Sequence, residues 1–224
     1  MTTVLGIDAC PAGWVGVELR DGRFGAAHRG STLEAVIGDV AAAAIAVDIP
    51  LGLVEVGWRD ADIAAKKFLR RRSSSVFIMP PRPALAEHTH ALASARCREL
   101  TGNGLSVQAW GLKAKLLQAN SLYESGSHAL YEVHPEVSFT AMGLTFDDGG
   151  KRSWRGQRAR LRRLHDVGID LPDDVGAAGD VPTDDLLDAA AAAWSARRIA
   201  TGAASSLPDP PQVNERGRVV AIWY

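Results

Sequence analysis

Carboxylates fall at the ends of apolar stretches in several places along this chain. Asp8 closes TVLGIDA, and Asp48 follows the run AAAAIAV and is succeeded at once by Ile49 and Pro50. Glu132 lies near the end of HALYEV, and Asp185 and Asp188 stand three apart at the start of DDLLDAAAAAWSA. That spacing puts the last two on one helical face. Carboxylates gathered within a few ångströms raise each other's pKa unless a cation sits among them. Hard oxygen donors suit Mg²⁺ or Mn²⁺, and two such ions about 3.5–4 Å apart can activate water and stabilise the leaving oxygen of a phosphodiester. Each acid also has a structural reading. Asp8 and Asp48 could accept hydrogen bonds from nearby turn amides, Asp184 and Asp185 complement a helix dipole, and Glu132 could make a hydrogen bond within the sheet.

Positioning these acids requires particular elements. Residues 3–9, 14–20 and 23–29 read as three antiparallel strands, the last two joined by the tight Asp21-Gly22 pair. Ser31 or Thr32 can cap a short helix, and a fourth strand spans about 44–49. Helical patterns follow at 59–72, 84–100 and 105–122, with a proline-broken loop or extended arm over 73–83. A fifth strand at about 128–133 leads to Pro135 at a helix start, and 155–165 is a basic helix. The last long helix, 184–201, is capped by Thr183 and closed by Gly202, and the tail VVAIWY reads as a short strand. Five alanines, Ala189 to Ala193, leave one face of that helix bare enough to lie close against another element. The order is α/β, and parallel first and fourth strands would set Asp8 beside Asp48 in the crevice where open sheets bind ligands. Asp188 could be aimed at the same point.

At 224 residues and a net charge of −1, the chain suits one domain over 1–224, with a helical and loop insertion at about 54–126. The balance hides local asymmetry, with seven Lys/Arg in 151–163 and seven Asp in 170–188. Such segregation fits an acidic site flanked by phosphate-binding arms, or solvated helix faces. Two cysteines are too few for a disulfide framework. No stretch approaches the ~20 apolar residues of a membrane span, and the N-terminus lacks an export pattern. A cytoplasmic protein without membrane contact is expected. Oligomeric state stays open, a homodimer included.

Several motifs together resemble a family. GIDACPAGW at 6–14, DIPLGL at 48–53, the R-x-x-D-x-x-A-K element from Arg59, SSVF at 74–77, GLSVQAW at 104–110, YEVHPEVSF at 131–139 and DDLLDAAAAAWSA at 184–196 look like the DUF429 family. Its members are predicted nucleases of RNase H-like fold. The resemblance implies a mixed five-stranded sheet of order 3-2-1-4-5 with helices on both faces. The D-x-x-D-A pattern from Asp185 is also similar to the end of the active site in Holliday-junction resolvases. Carried over by position, the resemblance implies Asp8 as the first-strand acid, Asp48 as the fourth-strand acid and Asp185 or Asp188 as the late-helix acid. The leading reading has Asp8, Asp48 and Asp188 hold two Mg²⁺ or Mn²⁺ ions, with Asp185 assisting and Glu132 as a peripheral ligand or water-orienting group. Those resolvases carry Glu on the fourth strand, and Asp48 has a shorter reach.

On this reading the substrate is nucleic acid, DNA or RNA, and Lys66, Lys67, Arg70, Arg71 and Arg72, with Arg155, Arg158 and Arg162, contact its phosphates. An alternative is a non-catalytic nucleic-acid- or protein-binding module on the same fold. Phosphoryl transfer is disfavoured, because no second Gly-Ile-Asp hairpin and no G-x-x-x-x-G-K-[ST] loop is present. A serine hydrolase lacks its G-x-S-x-G elbow. His88 and His90 diverge on a helix and make no metal pair, and Trp110, Trp154 and Trp194 read more readily as packed indoles than as base-stacking platforms.

Overall fold

The computed structural model describes all 224 residues. Strands β1 (Thr3–Cys10), β2 (Gly13–Arg20) and β3 (Arg23–Gly30) come first, then helix α1 (Leu33–Ile37) and strand β4 (Ala44–Val47). Five helices follow: α2 (Asp60–Leu69), α3 (Arg82–Ala86), α4 (His90–Thr101), α5 (Val107–Gly111) and α6 (Lys113–Ser125). Strand β5 (Leu130–Glu132), helices α7 (Pro135–Ala141), α8 (Trp154–Asp166) and α9 (Thr183–Ala200), and strands β6 (Ser206–Val213) and β7 (Val219–Trp223) complete the chain. No helix is long and apolar enough to cross a membrane.

The chain forms two compact units. One comprises Met1–Ile49, His128–Ser205 and Trp223–Tyr224, the other Pro50–Ser127 and Ser206–Ile222. Residues 50–127, which include the expected insertion, group with Ser206–Ile222 in the second unit. Its ion pair of Arg59 with Asp62 is fully buried, and Asn120 bonds both the Gly52 amide and the Pro50 carbonyl. The sequence hid β6 because three prolines interrupt it, a pattern that argues against a strand with partners on both sides. β6 pairs with β7 alone, in a two-stranded sheet where that objection does not apply.

The first unit holds the expected five-stranded mixed sheet, in the order β3-β2-β1-β4-β5. β1 and β4 are central and apolar on both faces, as parallel neighbours covered from both sides must be. The β2–β3 turn places Asp21 and Gly22 both at positive φ, the requirement of a tight hairpin. α1 covers one face, its Thr32 cap accepting from the Ala35 amide and its Val36 filling the space above Gly16. α9 covers the other. Thr183 proves to be the first residue of α9 and not its cap.

The alanine run sets how closely α9 approaches. A Cβ on Gly6 would fall 1.9 Å from the Ala193 nitrogen and 2.4 Å from the Ala189 oxygen, backbone atoms that cannot move aside. Each buried methyl contributes only ~0.8 kcal/mol. The run therefore matters for proximity more than for buried area. A buried hydrogen bond of 2.8 Å between Ser138 and Ser195 ties α7 to the same helix.

Candidate functional site

Strand register decides which acids meet. Ile7 lies opposite Val47 in the parallel pair, and the Asp48 amide donates to the Ile7 carbonyl at 2.9 Å. Asp8 and Asp48, one residue further along, therefore sit side by side near the C-terminal ends of two central strands, on the face that Gly6 presents to α9. Asp188, on the first turns of α9, reaches the same place. Asp8 is 5 % and Asp188 3 % exposed, and Asp48 is partly buried.

Glu132 pairs with Val47. Alternation then turns it to the face of Ile7 and Val47, away from Asp8 and Asp48. The structure does not bring it to the other acids; Val133 takes the place beside Asp48. Asp185 is half-buried, and its charge bears on Asp8.

The electrostatics are those of crowded acids. Burial, then the charges of Asp48 and Asp188, push the Asp8 carboxyl well above its ordinary value. Burial raises Asp48 too, against the opposing pull of His134, Lys151 and a hydrogen bond with Asp8. Asp188 is pushed up to about 7 by burial and by Asp48, even though Lys151 and Arg160 work in the other direction. The two strand-end carboxyls thus resist being ionised together, a strain that a shared proton or a cation relieves. Asp8 also accepts from the Ala9 amide at 2.7 Å, close to the turn-capping role its position allows.

Lys151 is the residue that sequence reasoning missed. Its Nζ donates to Asp188 Oδ2 at 2.7 Å and lies 3.6 Å from Asp184 Oδ2, which also faces Arg152 Nε at 3.4 Å. Burial opposes the charge on Lys151, but Asp188, with Asp8 and Asp48 behind it, holds its pKa well above the ordinary value. A second cation stands further back: Arg160, fully buried, pairs with Glu136, donates to the Gly156 carbonyl at 3.2 Å and lies over the Phe139 ring. Asp188 Oδ1, by contrast, is buried and has no hydrogen-bond partner.

These residues fit a hard divalent cation in donor type and in that one unsatisfied oxygen. As the side chains stand, no three His, Cys, Asp or Glu residues are arranged to hold a metal ion.

The basic residues divide between the units. Arg155, Arg158 and Arg162 lie exposed on α8 in the unit that carries the acids, with Arg158 against the exposed Trp154 ring. Lys66, Lys67, Arg70, Arg71 and Arg72 belong to the other unit. Among them Lys67, Arg70 and Arg71 are exposed, whereas Lys66 Nζ is engaged with the Ser73 carbonyl at 3.0 Å.

A family model described as "Protein of unknown function (DUF429)" matches residues 6–213. No curated protein and no solved structure matches the chain.

Proposed function

The chain belongs to the DUF429 family, and from that premise we propose that it is a divalent-metal-dependent phosphodiester hydrolase of RNase H-like fold, acting on nucleic acid. The observation that carries the reading is the buried, unpartnered Oδ1 of Asp188 beside the Asp8 and Asp48 carboxyls. A buried carboxylate oxygen with no donor costs on the order of 1–3 kcal/mol, and a cation removes that cost.

In this reading Asp8, Asp48 and Asp188 hold Mg²⁺ or Mn²⁺. The ion, when bound, supplies a lowered pKa to a coordinated water and charge stabilisation to the leaving oxygen. The chain's own residues do the rest. α9 carries Asp188 to the strand ends through its alanine face, and Lys151 adds positive charge where a phosphoryl group gains negative charge. Arg155, Arg158 and Arg162 on α8 offer exposed guanidinium groups to a phosphate backbone, which makes binding salt-dependent.

The test is Mn²⁺-dependent cleavage of single- and double-stranded DNA and RNA, comparing the wild type with Asp8→Asn and Asp48→Asn. Loss of cleavage in both with the fold intact is the expected result; equal cleavage in both removes the reading. A second reading, a non-catalytic binding module, is favoured by one fact: Lys151 already holds Asp188, and no three carboxylates stand ready to ligate. It predicts nucleic-acid binding that is indifferent to Mn²⁺ in calorimetry.

A further inference from the structure

Lys151 is held in place by its backbone. The preceding Gly150 carbonyl accepts from the Ser153 amide at 3.0 Å and from Ser153 Oγ at 2.8 Å, and Ser153 Oγ in turn caps α8 through the Gly156 amide at 3.1 Å. The turn is pressed against the helix so closely that a Cβ on Gly156 would lie 2.0 Å from the Gly150 oxygen. Gly149, at φ +92°, supplies the bend that L-residues rarely adopt. A flexible side chain on a clamped turn thus delivers an ammonium to Asp188 at 2.7 Å, with Asp184 3.6 Å away.

We propose that Lys151 is the resident cation of the acidic cluster, filling one of the two cation positions a paired-metal site would use, so that the site takes a single divalent ion. This rests on the metal-dependent reading above and changes its stoichiometry. Asp8, Asp48 and Asp188 crowd together with Asp185 close by, and the one ammonium, which also faces Asp184, does not offset them, so an excess of negative charge is left for a divalent ion. The vacant donor, Asp188 Oδ1, is the oxygen that Lys151 does not use. An ammonium has three donors and no acceptor, so it can hold Asp188 Oδ2 and still present a proton to a phosphate oxygen. It cannot activate a water as a metal does, which places the nucleophile on the side of Asp8 and Asp48.

The experiment is Mn²⁺ titration of the full chain, read by the electron paramagnetic resonance of free Mn²⁺ and by calorimetry. The wild type is expected to bind about one ion and Lys151→Met about two, the second position having been released. Lys151→Arg, which keeps the charge, is expected to bind as the wild type does. Two ions in the wild type, or identical binding by wild type and Lys151→Met, would overturn the assignment and leave the metal reading standing. No Mn²⁺ on either protein would end both.

Should Lys151→Met not fold, amine labelling of the wild type read by peptide mass spectrometry decides. Lys151 is expected to stay protected with and without Mn²⁺. A rise in its labelling when Mn²⁺ is added would mean that the ion displaces it, and would overturn the proposal.

Discussion

Two buried polar clusters, one in each unit, invite comparison. In the second unit Arg59 and Asp62 are 0 % and 1 % exposed, and Asp62 divides its oxygens between Arg59 Nη1 at 3.0 Å and the Met79 amide at 2.8 Å. Arg59 Nη2 goes on to the Leu51 carbonyl at 3.2 Å. In the first unit Asp8 and Asp188 are as deeply buried, but their charges are matched only in part and Asp188 Oδ1 has no donor. Burial does not distinguish the two clusters; the balance of charge does, one guanidinium to one carboxylate in the second unit and crowded carboxylates in the first. A charge-matched pair fixes a local structure, whereas crowded carboxylates with a vacant oxygen suit a positive charge from solution. Both clusters come from stretches that stand out in the sequence, R-x-x-D-x-x-A-K and DIPLGL, so motif strength alone does not separate them either.

The sharpest way to break this comparison is Asp8→Asn. In the proposed metal-dependent reaction, losing Asp8 forfeits several kcal/mol of transition-state stabilisation, on the order of 10³-fold in cleavage rate at 1.36 kcal/mol per decade. Stability without metal should not fall. The same variant has a signature in pH. The folded chain holds the Asp8 and Asp188 protons to higher pH than the unfolded chain does, so between the ordinary 3.8 and about 7 the folded state binds more protons. Stability contributed by these groups is present at acid pH and lost as pH rises through that window. In chelator, the wild type should therefore lose stability relative to Asp8→Asn as pH rises above about 4, with Mn²⁺ restoring it near neutrality. Urea midpoints across the range measure this; a difference that does not vary with pH would count against the crowded-acid picture.

Asp62→Ala should show the opposite behaviour. Leaving Arg59 buried without its carboxylate should cost about 3–5 kcal/mol, seen in urea unfolding, with no recovery on adding Mn²⁺. A cost near zero would mean that the pairing with Asp62 is not what holds Arg59. Gly6→Ala is a smaller test of the acid cluster. Its methyl must push α9 off the sheet, at about 1–3 kcal/mol, and should weaken Mn²⁺ binding because Asp188 travels with the helix. Unchanged Mn²⁺ affinity would show that Asp188 does not need that close approach.

Much of the first unit was legible because its signals are local. Strand ends at Asp8 and Asp48, the Asp21-Gly22 turn and the phase of Asp185 and Asp188 can each be read within a few residues. The parts that were not legible depend on pairings across the chain. Glu132 alternates correctly with its neighbours, but its face follows from Val47 lying opposite it and Ile7 opposite Val47. Lys151 looked like one more member of a basic run; its partner Asp188 is 37 residues away, and nothing in 151–163 singles it out. The long helix expected over 105–122 is two, because the chain turns at Leu112 between α5 and α6.

The close contact at Gly6 also fixes an angle. Asp188 immediately precedes Ala189, whose carbonyl lies where a Gly6 side chain would be, so contact and carboxylate occupy adjacent steps of one helix. One residue inserted between them would rotate Asp188 by about 100° and shift it about 1.5 Å along the axis, with every acid still present. The alanine face is in that sense the keyway of the site. It admits α9 in a single angular phase, and the meeting of Asp188 with the strand-end carboxylates depends on that phase as much as on the charges themselves.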